Sequence, residues 1–166
     1  PSHKLVQARV SDIEEMNRFV AELANRYQFL PCYDFNALLT YDSYFQGLSI
    51  GNFWLHKTDG KITGLIGLWD QHLFKQAKVM AYSRPLAIIK PIYNAISALT
   101  GGMKLPKVGA NFDYLTLHSP LTDPNDLASF SELLQGAWQL SQHRGFSSMA
   151  ITLAENDPRQ AVLKNY

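Results

Sequence analysis

The side chains of this chain that can move a proton are scattered, and none sits in a motif that dictates a single reaction. His118 lies in an apolar run, FDYLTLHSPLT. A free imidazole titrates at about 6.5, so a histidine there can relay a proton, although a histidine hydrogen-bonded at a strand end is commoner. Asp70 lies in WDQHLFKQ beside Trp69, Gln71, Lys75 and Gln76, a polar and aromatic group at a strand end, where sites are often built. It can act as a base toward an amine, pair with Lys75, or order its loop through a hydrogen bond. Glu155 reads either as a base or as a solvated charge beside a turn. Tyr82, Tyr93 and Tyr114 either line an acceptor cleft or join the aromatic core.

Most other catalytic templates fail. His3, His56, His72, His118 and His143 include no pair at i, i+4 and no cluster of ligand types, so no metal is expected. The lone cysteine, Cys32, excludes an internal disulfide and a cysteine-based zinc site. Nothing near it would lower its pKa. GxSxG, GxxxxGK[ST] and GxGxxG are all absent, which lowers serine hydrolysis, nucleoside triphosphate hydrolysis and dinucleotide redox chemistry. Group transfer from an activated donor demands less. An acyl thioester brings its own leaving group, so the protein need only orient donor and amine, accept a proton, and protonate the departing thiolate.

The hydrophobic pattern shows the elements that must position these residues. Residues 4–10 alternate as a first strand. Ser11 or Asp12 can N-cap a helix with Glu14 and Glu15 in its first turn. Ile13, Met16, Val20, Leu23 and Tyr27 then recur on one face. Pro31 ends that helix, and Asp34 caps a second one reaching residue 46. A strand at 52–58 turns at Asp59-Gly60, a strong hairpin signal, into a strand at 61–71. Gly64 and Gly67 mark a bulge or a close backbone approach, or are tolerated weak points, the blander reading being favoured. Residues 78–83 read as a short strand, and 85–100 as an apolar helix that Pro91 should kink or restart. A flexible connection, 101–111, follows. The last third runs from a strand at 112–122 through a turn-rich loop to a helix at 129–145. A strand at 149–153 and the start of another helix complete it. This βαβ layout can set a nucleotide-like cofactor's phosphates at a helix N-terminus.

Composition bounds the rest. The 166 residues, 46% hydrophobic and 17% charged, suit one folded domain spanning 1–166. The chain begins at Pro1 and stops at Tyr166 inside an apparent helix, so a longer polypeptide is expected. A net charge of +1 gives no electrostatic case for nucleic acid or an anionic membrane, so neither is expected as a partner. No apolar run is long enough for a transmembrane helix, and the single cysteine suits a cytoplasmic setting.

With these elements in place the chain resembles the GNAT superfamily of acyl-CoA-dependent N-acyltransferases over nearly its whole length. The likeness is greatest to a bacterial subgroup, through GLWDQHLFKQAKVMAYSRPLAIIKPIYN (67–94), where WDQxxFKQ is followed by Y-S and P-x-Y-N. The resemblance implies an α/β fold of the α+β type: a mixed, mostly antiparallel sheet of six or seven strands flanked by helices. It implies acetyl-CoA as acyl donor, an amine acceptor, and the possibility of a further domain on the same chain. The backbone of Leu115, Thr116 and Leu117 would meet the pantetheine arm. The pyrophosphate would sit near Asn125 and Ser129, at the start of the following helix. Asn156, Ala161 and Tyr166 approximate the family's N-x-x-A…Y pattern, which makes Tyr166 the general acid toward the thiolate. His118 and Asp70 would then be the candidates for the amine's proton. One departure stands out. Where the family carries (Q/R)xxGx(G/A), this chain has TDPNDLASFSE, whose Asp123 and Asp126 oppose a pyrophosphate. The alternative is a catalytically degenerate module of the same fold that binds a small ligand or a partner domain.

Overall fold

The computed structural model describes residues 5–27, 30, 34–40, 45–100 and 102–164. Five strands among them form one sheet in the order β1-β2-β3-β4-β5, rather than six or seven. They are β1 (Val6–Gln7), β2 (Phe53–Thr58), β3 (Lys61–Trp69), β4 (Leu115–Thr122) and β5 (Met149–Ala150). The first three pairings are antiparallel, and β4 pairs with β5 in parallel. The sheet is mixed and mostly antiparallel, flanked by α1 (Ile13–Leu23), α2 (Ala37–Thr40), α3 (Arg84–Thr100), α4 (Leu127–His143) and α5 (Gln160–Leu163).

Both faces of the sheet are covered, which is why β3 does not read as clean alternation. Its Ile62 and Leu65 join a core with Met16, Val20, Leu23 and Phe53 on the α1 side. Its Ile66 and Leu68 join a second core with Phe130, Leu133, Leu134 and Ala137 of α4. Ion pairs from Lys57 to Glu15 (2.9 Å) and Asp12 (3.5 Å) tie α1 to the hairpin. The hairpin turns as expected, with Asp59 and Gly60 both at positive φ (50° and 78°).

Several expectations are corrected. The strand at 78–83 reduces to one bridge, Lys78 to Asn111. The helix over 84–100 continues through Pro91 and does not restart. The carbonyl left without its donor is that of exposed Ala87, where water can take it. Gly64 and Gly67 are close approaches rather than weak points. A Cβ at Gly64 would lie 3.0 Å from Thr122 Cγ2, and one at Gly67 3.1 Å from the Phe53 ring. Between them β4 gains a residue: Leu65 faces Leu121 while Gly67 faces His118. The resulting bulge holds Ser119, at φ 48°, and Pro120.

Candidate functional site

β4 and β5 stay together for only two pairs, Leu115 with Met149 and Thr116 with Ala150. Beyond Thr116, β4 runs on through the Ser119–Pro120 bulge, which bends a strand and increases its twist, while the other chain leaves the ladder at Ile151. A cavity of about 360 Å³ opens there, lined by Leu117, Leu134, Trp138, Met149, Ile151 and Leu163. Its walls are therefore β4, the β5 segment, α4 and α5, and every lining side chain is apolar. Its size lies within the usual range for ligand sites, about 300–1,000 Å³.

The far end of the opening is bridged by Arg159, which Tyr27 backs from the α1 side. Buried Arg159 donates from Nη1 to the Pro120 carbonyl (2.8 Å) and from Nε to Asp157 Oδ1 (2.9 Å). Its guanidinium lies over the rings of Tyr27 and Phe130. Tyr27 Oη donates to the Thr122 carbonyl at 2.7 Å. The stretch of β4 left beside the cavity starts at Leu117.

This placement divides the expected cofactor residues. Leu117 borders the opening, whereas Leu115 and Thr116 are still paired to β5. Thr116 Oγ1 also donates to Gln71 Oε1 (3.1 Å). Asn125 donates its backbone N–H to Asp123 Oδ1 (3.0 Å), and Ser129 donates its own to Asp126 Oδ1 (3.0 Å). Asp126 is thus the N-cap of α4, and the hydrogen bond from Ser129 N–H lowers its pKa below 3.8. Asp123 pairs with Arg26. The helix terminus proposed for a pyrophosphate already holds an ionised carboxylate of its own. Asn156 lies exposed in the turn after β5.

The described proton-handling candidates, His118 and Asp70, are not among the residues lining the cavity. His118 alternates with Leu117, so its side chain points to the opposite face of β4. There its ring meets Phe53 and Trp69 edge-on, with centroids 6.1 and 5.3 Å away. Burial lowers its pKa below the 6.5 of a free imidazole, so it is neutral at pH 7. Asp70 is engaged by its own loop: its Oδ1 accepts from His72 N (3.0 Å) and lies 2.6 Å from His72 Nδ1. Of the readings open for Asp70, loop ordering is the one the structure displays. Tyr82 bonds to the Pro106 carbonyl (2.7 Å), away from β4. Tyr166 lies outside the described residues, as does Cys32.

Sequence reasoning missed the cavity wall and its lacing. Trp138, Ile151 and Leu163 carry no chemical signature, and their meeting depends on where β5 leaves β4. The Asp157-x-Arg159 spacing was a weak local sign of a paired arginine. Also unforeseen is buried His56, whose Nδ1 lies 2.7 Å from Thr63 Oγ1 and whose Nε2 lies 2.8 Å from Glu132 Oε2. No group of three or more potential metal ligands occurs among the described residues.

The fold is similar to the crystal structure of a probable acetyltransferase, with a TM-score of 0.56 at 14% identity, covering 98% of this chain and 87% of that one. An acetyltransferase of Trypanosoma brucei aligns at a TM-score of 0.46 and 12% identity, over 92% and 83%. No family model matches the chain, and no curated protein matches it in sequence. At such low identity the likeness is one of fold alone.

Proposed function

We propose that this protein is an acyl-CoA-dependent N-acyltransferase that moves an acetyl group from acetyl-CoA to an amine by direct attack. The observation that carries this is the parting of β4 from β5 after two residue pairs, with an apolar cavity behind the opening. A thioester arm is narrow and extended; it needs a backbone edge for its amides and an apolar bed for its methylenes. Leu117 begins the edge, and Leu134, Trp138 and Ile151 form the bed. The donor supplies an acetyl group on a good leaving group, so the chain's share is orientation and proton handling. His118 is held neutral by burial, the form able to take the amine's proton; because it faces away from the cavity, it does so through a water relay rather than by direct contact. Tyr166 is the general acid that the family resemblance implies.

The α4 terminus fits the donor less well, since Asp126 occupies the Ser129 amide and carries a negative charge. That observation favours a second reading, a non-catalytic module that binds a small ligand or a partner domain.

Thermal melting separates the two. Acetyl-CoA at ~100-fold excess over its Kd adds about 2.7 kcal/mol to a protein that binds it. At about 2–4 °C per kcal/mol for a domain of this size, the expected rise in Tm is several degrees. No shift with millimolar acetyl-CoA or CoA would give the chain to the binding-module reading. In an acetyl-transfer assay, Tyr166→Phe and His118→Gln should each lower kcat by roughly 10²-fold or more.

A further inference from the structure

β3 and β4 are antiparallel neighbours that a two-residue turn could join, yet residues 70–114 lie between them. The insertion is pinned at its root. His72 Nδ1 meets Asp70 Oδ1 at 2.6 Å and Nε2 meets Asp113 Oδ1 at 3.1 Å, so one imidazole clasps both ends. The helix it carries, α3, is turned inside out. Its inward face is polar: Asn94 exchanges two hydrogen bonds with the Leu105 backbone (3.0 and 2.8 Å), and Lys90 donates to the Pro106 carbonyl. Ser97 is its one buried residue. Outward, at the spacing of a single stripe, Ile88, Ile92, Ile96 and Leu99 are 75%, 65%, 56% and 89% exposed. Contiguous apolar surface of this kind marks a contact site.

Charge decides what covers it. Between Asp70 and Asp113 the chain carries Lys75, Lys78, Arg84, Lys90, Lys104 and Lys107, and no acidic residue. All 14 carboxylates and the other nine cations lie elsewhere, so the net +1 conceals a strongly basic segment. Two such surfaces repel one another, which opposes a second copy of this chain. The stripe is also a ridge on one helix rather than a groove. We propose that α3 and its flanking lysines are a docking surface for an anionic phospholipid bilayer. The helix lies in the interfacial plane, its isoleucines and Leu99 enter the headgroup–acyl boundary, and the lysines meet lipid phosphates. Among the described residues no helix is long and apolar enough to cross a membrane.

Flotation of the whole protein with phosphatidylglycerol–phosphatidylcholine vesicles, against pure phosphatidylcholine, tests this. The protein should float with the anionic vesicles alone and be released by salt. Ile92→Asp should abolish binding. Lys104→Ala with Lys107→Ala should weaken it about 30-fold, at about 1 kcal/mol per cation. All three side chains are exposed, so an unchanged Tm and circular dichroism spectrum would separate lost binding from unfolding. Failure to float, equal binding to both lipids, or variants that bind like the parent overturns the assignment. So does a dimer dissociated by Ile92→Asp, which gives the stripe to a second copy. Binding to polyglutamate with none to vesicles gives it to an acidic protein, with the same result.

Discussion

His118 couples unfolding to proton uptake. In the folded protein its ring is packed against Phe53 and Trp69, and burial lowers its pKa below 6.5. In the unfolded chain it titrates normally. Between those two values the unfolded state binds more protons, so stability increases with pH across that window. The contribution is complete above pH 6.5 and declines as pH falls below it, until the lower folded pKa is passed. In urea titrations His118→Gln should therefore lose less stability than the parent between pH 7 and pH 5, about the span over which an ordinary imidazole charges. Parallel pH slopes would show that burial does not hold this imidazole neutral. Arg159 acts differently, by locking the β4 edge at Pro120. Arg159→Met leaves the partly buried Asp157 without its partner, which should cost somewhat less than the about 3–5 kcal/mol of a fully buried broken pair. Adding Asp157→Leu should recover a large part of that loss; no recovery would mean that the Pro120 and ring contacts matter more than the ion pair.

At the scale of elements, α4 is where stability and ligand binding make opposing demands. Asp126 caps its first turn, and Asp126→Ala should cost about 1 kcal/mol at neutral pH. The carboxylate's pKa is lowered in the folded state, so its contribution is present above pH 3.8 and lost as pH falls through the folded value. Asp126→Ser keeps a cap and removes the charge. If the donor's pyrophosphate approaches this terminus, CoA should bind about fivefold more tightly, the effect of one repulsive charge worth about 1 kcal/mol. Unchanged affinity, measured by calorimetry, would place the phosphates elsewhere. Sequence made the helices α1 and α4 legible because each buries one apolar stripe, and the hairpin because Asp59-Gly60 accepts positive φ. It did not show the cap, since the helix was read over 129–145 and begins at Leu127, after Asp126. It overextended β5, whose ladder ends at Ala150, because alternation in the sequence does not show where the partner strand stops running alongside.

On the scale of the whole molecule, two parts with different support share one chain. The sheet is buried on both faces, and β3 gives side chains to both cores. The insertion between β3 and β4 is held by His72 at its root and by a few polar bonds under α3. The overall fold was readable because apolar strand runs bounded by turn signals, and helical stripes, mark the sheet and its covering helices. The outward stripe of α3 was not, because an apolar helix reads as core until its surroundings are known. The segregation of charge was hidden in the same way, since a net count averages it away. The difference in support predicts a difference in opening. Amides of β2, β3 and β4 should exchange hydrogen only through global unfolding, and share one denaturant dependence. Amides of α3 should exchange through local opening, several kcal/mol below the global value and with little denaturant dependence. Anionic vesicles should slow exchange along α3 and leave the sheet unchanged, because burying Ile88, Ile92 and Ile96 supplies the apolar contact that the sheet does not. Native-state exchange with vesicles present and absent checks both parts. Protection of α3 equal to that of β3 without lipid would mean that the insertion is integral to the core.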